Sequence, residues 1–420
     1  MDWREEDMRL ALTNATLIDC VNPSPVAGAS IVIEDGRIAE ITGGGPHPNP
    51  LPEGEGRGGS QDAQVVDLDG AYLLPGLWDV HIHPDYATDP NVTVAQQTAR
   101  FGQNLARGLT EAGVVGVRCG GAGHFMDVAW RNTFASGQLE GPRVFACGNF
   151  LTTTGGHFLT SGHARECDGP YGFVNAVREQ IKNGVDHIKL NLSGGVMGPF
   201  WDRHVHSFLL EEELAAVFAL CRQRGYKVMA HATNPEAVKA ALTMGAHTVE
   251  HGYIMDEECM QLFVESEAWY VPTLGITHLT PSQATSEREK RWVKQKNLAP
   301  DLVARAEAAV DTHRNWFQQA LRSGVRMALG SDVYPLSDSA LLEMGLWVKD
   351  GATTWQTLLA ATRNGAELCG RGADLGTVEV GKLADLIVVG ANPLDDIENL
   401  GDLRMVLKEG RVVADHRRTA

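Results

Sequence analysis

From residue 73 to about residue 369 eight apolar, β-branched runs alternate with amphipathic helical runs. The strand-like runs are 73–80, 114–119, 143–146, 185–191, 227–231, 248–251, 269–273 and 326–331. Helical periodicity falls at 94–107, 173–183, 210–224, 235–244, 256–266, 302–323 and 354–368. Asn234 followed by Pro235 is an N-cap with proline in the first helical turn, and Gly225, Gly245 and Gly324 end helices just before strands. Few architectures accept so many strand–helix units. An α/β fold, a (β/α)8 TIM barrel spanning residues 73–373, is the expectation. Residues 282–296 form a charged excursion after the seventh strand and read as a lid or an oligomer contact.

The flanks are different. Short strands at 10–18, 30–34, 37–41 and 64–68 precede the alternation, with Asp35-Gly36 as a hairpin turn, and short strands return after Asp374. Both ends, 1–72 and 374–420, are expected to combine into one small β-sandwich domain beside the barrel. Residues 43–60 are too rich in Gly and Pro to form a packed element and read as a flexible insertion.

Composition excludes several classes. The net charge of −17, from 36 basic and 53 acidic residues, argues against a nucleic-acid or anionic membrane partner. Seven scattered cysteines without a CxxC pair fit reduced thiols, not a disulfide framework. No signal peptide or 18-residue apolar run is present, so a cytoplasmic location is expected.

In such a barrel, functional groups sit at the C-terminal ends of the strands. The first strand ends in His81 and His83, whose two-residue spacing aims both rings to one side. The fourth carries Lys189, the fifth ends in His231, the sixth in His251 and the eighth in Asp332. Imidazole and carboxylate together suit zinc or a similar divalent ion, and six donors exceed one tetrahedral site, which favours two metals. A strand lysine alone would be read as a snorkelling or ion-paired side chain. Beside two cations its ammonium would be repelled, so Lys189 must be neutral or chemically modified.

The pieces PGLWDVHIH, HIKLNLSGG, MAHATN, VEHGYIMD and LGSD, with the tail GTVEVGKLADLIVV, resemble the amidohydrolase superfamily, specifically its binuclear class. The local wording is similar to the imidazolonepropionase-like group, which includes Xaa-Pro and Xaa-Arg dipeptidases and ochratoxin-type amidases. The resemblance implies that His81 and His83 hold one metal, His231 and His251 the second, and that Lys189 bridges them as its CO2-derived carbamate. Asp332 would complete the first site, and Zn2+ is the expected metal. It further implies hydrolysis of an amide C–N bond, in a dipeptide or N-acyl amino acid, by a hydroxide shared between the metals. Asp332 would act as general base. Ureas and carbamates are the alternative substrates. A homo-oligomer is expected, as for many relatives.

Around this centre the residues suggest further roles. His157 is a candidate to polarise the scissile carbonyl, against the alternative of a loop histidine bonded to backbone. His163 and Arg165 are candidates to hold a substrate carboxylate, and Tyr253 is a rim candidate with core packing as its alternative. Arg118 is followed by Cys119 where relatives often carry Asp, which leaves its contacts open. The string His247-Thr-Val-Glu-His251 also fits an inverzincin protease, but its β-branched residues and flanking glycines argue for a strand. A non-catalytic barrel scaffold is the remaining alternative.

Overall fold

The computed structural model describes residues 9–43, 64–85 and 91–417, and within them the strand–helix alternation closes on itself. Residues 44–60 of the Gly/Pro-rich segment lie outside the described residues. The barrel strands are β1 (Leu77–Ile82), β2 (Val114–Cys119), β3 (Arg143–Phe145), β4 (His187–Asn191), β5 (Lys227–Ala232), β6 (Thr248–His251), β7 (Trp269–Val271) and β8 (Arg326–Met327). Neighbours pair in parallel from β1 through β3 and from β4 through β8.

Two seams use fewer ladder bonds. The third strand is interrupted: its first part pairs with β2, and a second part, Phe150–Thr152, pairs with β4 through Leu190 and Leu151. At the other seam Val80 donates its N–H to the Leu329 carbonyl (2.8 Å) and Asp332 donates to the His81 carbonyl (2.8 Å). Those two bonds close β8 onto β1. They also fix Asp332 beside the histidine strand.

The expected helix signals are present. The Asn234 side chain accepts the Ala237 N–H at 3.0 Å, and Gly225, Gly245 and Gly324 occupy left-handed C-caps. Three helices of ten or more residues go beyond the expectation. Met126–Ala135 follows a left-handed Phe125 and lacks a side-chain cap. Leu336–Lys349 is buried around most of its circumference, including Leu336, Leu342, Met344, Leu346 and Trp347, so no amphipathic stripe marks it in sequence. Within the charged excursion, Glu287–Lys296 is a helix capped by Ser286.

The two chain ends meet in one eight-stranded sheet, where Tyr72–Pro75 pairs antiparallel with Leu386–Val389. Alternation divides the work of these strands. Leu73, Leu386 and Val388 enter a separate core with Leu12, Ile31 and Met405, whereas Leu74, Ile387 and Val389 join the barrel's core. Arg143 of β3 clamps this junction, donating to both oxygens of buried Asp385 at 3.1 Å. No helix of the described residues is long and apolar enough to cross a membrane.

Candidate active site

The C-terminal ends of β1, β4, β5, β6 and β8 converge on a cavity of about 260 Å3 that His81, His83, Lys189, His231, His251 and Asp332 line together. The Asp332 carboxylate lies 3.6 Å from His81 Nε2, 3.3 Å from His83 Nε2 and 3.9 Å from His251 Nδ1. Lys189 Nζ is 3.3 Å from His81 Nε2. The His231 and His251 rings are 4.3 Å apart. One donor atom each from His81, His251 and Asp332 fits within 4.8 Å of the others, close enough to share one ion.

The backbone is bent to achieve this. His251, Thr273 and Asp332 all adopt positive φ (73°, 51° and 55°), an uncommon state for non-glycine residues that is held by surrounding structure. In a regular strand the consecutive residues Glu250 and His251 would face opposite sides. Here both end beside His81, Glu250 by a hydrogen bond and His251 with ring centroids 5.1 Å apart.

Each of the four imidazoles has one nitrogen committed to an acceptor. His81 donates through Nδ1 to Glu250 (2.7 Å), His83 through Nδ1 to the Gly121 carbonyl (3.3 Å) and His231 through Nε2 to the Gly194 carbonyl (3.0 Å). His251 donates through Nδ1 to the Thr273 hydroxyl (2.7 Å), whose own proton goes to the Pro272 carbonyl (2.7 Å). A neutral imidazole that spends one nitrogen as a donor keeps a lone pair on the other. Burial, reinforced by neighbouring positive groups, pushes all four rings well below their ordinary pKa and so keeps them neutral. Burial also lowers the Lys189 amine, with Glu250 and Asp332 opposing. Four neutral imidazoles, a carboxylate and a lysine with reduced proton affinity form a donor set that fits divalent cations.

The supports of this set include residues that sequence reading passed over. Buried Glu250 links His81 to Arg118, which donates to it at 2.9 Å and also to the Val80 carbonyl (2.7 Å) and the Thr248 hydroxyl (3.1 Å). The open question around Arg118 is thereby answered, since Glu250 and Thr248 supply its partners. Cys119 instead offers its carbonyl to His187 (3.1 Å). Asp79, two residues before His81, accepts the Ser331 N–H at 2.9 Å and ties β1 to the β8 end. The only sequence signal for Glu250 was its place in the HTVEH string, which is strand β6 and not a helix. Gly120 is required by space: a Cβ there would stand 2.8 Å from Nε2 of both His81 and His83.

Of the remaining candidates, His157 and Tyr253 line the cavity, and His163 and Arg165 do not. The His157 ring stacks on His231 at 4.1 Å and donates through Nδ1 to Asp202 (2.9 Å), leaving Nε2 for the cavity. Burial works against the Asp202 carboxylate, but His157 and the N–H groups of Phe158 and Gly195 outweigh it and hold it below its ordinary range. Tyr253 is buried with its ring 5.5 Å from that of His251. His163 is engaged at both nitrogens, Nδ1 accepting the Gly123 N–H (2.6 Å) and Nε2 donating to the Asp85 carbonyl (2.9 Å). Arg165 is exposed and pairs with Glu179 at 2.9 Å. Neither is available for a substrate carboxylate in this arrangement. The His204 ring stands edge-on to that of Tyr253, with centroids 6.3 Å apart.

A barrel with histidines, lysine and aspartate at these strand ends defines a metal-dependent hydrolase class. The chain matches the Amidohydrolase family over residues 72–413 and belongs to it. It is 29% identical over 424 residues to ochratoxinase of Aspergillus niger, covering 94% of this chain and 84% of that protein. Its fold is similar to a Xaa-Pro dipeptidase with methionine bound in the active site (TM-score 0.81, 28% identity, 96% of this chain and 99% of the other). It is also similar to a prolidase complexed with N-methylphosphonate-L-proline (TM-score 0.82, 28% identity, 97% and 100%). The protein is a hydrolase acting on C–N bonds.

Proposed function

We propose that the protein is a zinc-dependent amidase that cleaves dipeptides or N-acyl amino acids bearing a free carboxylate on the leaving side. The observation that carries this reading is the set of four imidazoles, each with one nitrogen committed and one lone pair left, around Asp332 in an otherwise largely apolar cavity. His81, His83 and Asp332 would hold one cation, His231 and His251 a second, and Lys189, as its carbamate, would be shared by both. When bound, the cations supply Lewis acidity that acidifies a water and polarises an amide carbonyl.

The chain's own residues supply the rest. Asp332, held by its backbone N–H on the His81 carbonyl, would take the proton of the attacking water and deliver it to the leaving nitrogen. His157, oriented by Asp202, would present Nε2 to the carbonyl oxygen and donate there when protonated. Phe150, Phe158 and the hydrophobic residues above them would exclude bulk water around the reacting amide. The relatives named ochratoxinase and Xaa-Pro dipeptidase support an amide substrate.

The test is a panel of N-acyl amino acids, dipeptides and arylureas offered to the zinc-loaded protein. Turnover of amides carrying a free carboxylate is expected. Turnover confined to neutral ureas or carbamates would replace this reading with the alternative one.

A further inference from the structure

The cavity wall opposite the strand ends is built by the excursion after β7, and it contains a cation that the reaction does not use. Lys296 ends the helix Glu287–Lys296 and lines the cavity with Trp292, Leu298 and Tyr334. Among the described residues, it and Lys189 are the only lysines or arginines in the lining. Its ammonium lies 2.9 Å from the centroid of the Tyr334 ring and 5.5 Å from that of Trp292, and no described carboxylate is within ion-pair distance of it. Asp85, a described acid whose charge acts on it, is already paired with Arg100 at 3.1 Å. Burial lowers the ammonium to about 8. A charge held at this cost without an anionic partner is one that an incoming anion would stabilise.

The lysine is also held in position. Trp292 donates its indole N–H to the Tyr334 carbonyl at 3.0 Å, which binds the helix to the chain two residues beyond Asp332. Arg288 pairs with Asp338 (2.9 Å) and Glu398 (3.3 Å), and Glu289 with Lys349 (3.0 Å). This helix is fastened through Arg288, Glu289 and Trp292, so its last residue has a defined station at the cavity.

We propose that Lys296 is the specificity residue that receives the substrate's carboxylate, and that the accepted amides carry an apolar side chain packed against Tyr334, Trp292 and Leu298. This rests on the amidase reading and deepens it: an amide bond is cleaved at the strand ends while an acid is recognised at the wall. An aromatic enclosure that desolvates the pair strengthens the contact between ammonium and carboxylate.

The experiment uses the zinc-loaded protein and two probes, 3-phenylpropanoate and its neutral amide, titrated calorimetrically into wild type and Lys296→Met. Wild type is expected to bind the acid at least tenfold tighter than the amide, and Lys296→Met to lose that preference with unchanged zinc content and melting temperature. Equal binding of both probes by wild type, or a preference that survives in Lys296→Met and so comes from the metals, overturns the proposal. Lys296→Gln, which keeps the stem without the charge, repeats the measurement if the Met variant does not fold. In parallel, KM for N-acetyl-L-phenylalanine should rise at least tenfold in the variant with kcat nearly unchanged, while N-acetyl-L-phenylalaninamide should be unaffected. If wild type hydrolyses neither compound, nor any member of the panel above, the amidase reading falls, and the binding titration still decides the role of Lys296.

Discussion

At the floor of the cavity, His81, His83, His231 and His251 are committed before any ligand arrives, each with one nitrogen bonded to a fixed acceptor. At its mouth, Trp292, Lys296, Leu298 and Tyr334 come from connecting segments, and their one charge has no anionic partner among the described residues. The floor is polar and its rings are already oriented, so its geometry suits chemistry common to a whole family. The wall is apolar with a single unsatisfied cation, so its composition suits the choice of one substrate. Positions on rigid strands are preorganised for catalysis, while loops supply the variation.

The sharpest way to break this comparison is at Lys189. Lys189→Met should lower kcat/KM by about 10^4-fold or more, because the floor loses the group proposed to join its two halves. Elemental analysis should show metal falling below the two per chain expected of wild type. Full activity with two metals retained would mean that the lysine is a bystander. Lys296→Met, in contrast, should leave both metals and kcat in place.

A second prediction tests whether the floor depends on its buried support. Arg118 and Glu250 are both buried and 2.9 Å apart, and Glu250 also orients His81. Arg118→Met strands a buried carboxylate, which costs roughly 3–5 kcal/mol, a melting-point fall of only about 3–6 °C in a chain this large. Metal affinity should drop about 10–100-fold as His81 loses its fixed orientation. A variant with unchanged melting and metal affinity would show that the ring is held by β1 alone.

What could be read from the sequence follows the same division. The strand ends were legible because a period-two run closed by a ligand residue leaves a local mark, as at His81 and His83. Glu250 was not, because its partners His81 and Arg118 are distant in sequence and a left-handed His251 defeats the alternation rule. The helix Leu336–Lys349 hid behind burial on most faces, which erases amphipathic contrast. His163 and Arg165 were attractive by residue type and proximity to His157, yet the loop turns them into a buried backbone bracket and a surface ion pair. Lys296 looked like one more charge in a charged excursion. Only the fold sets it against Tyr334.

The smallest effect concerns how the wall is fastened to the barrel. The segment leading into it begins at Leu274 and Gly275, whose N–H groups are accepted by Glu343 at 2.8 Å each, with the Trp347 indole N–H donating to the same carboxyl at 3.0 Å. Three donors favour the ionised form, but complete burial outweighs them and raises this carboxyl to about 8. Between about 4.5 and 8 the folded protein therefore keeps a proton that the unfolded chain has lost, so this group's contribution to stability declines as pH rises through that window. The slope is at most ~1.4 kcal/mol per pH unit. Urea unfolding from pH 5 to 8 should show that decline in wild type and a flatter profile in Glu343→Gln, which has no proton to hold. Parallel profiles in the two proteins would mean that the three N–H groups prevail over burial and that Glu343 fastens the wall as an anion.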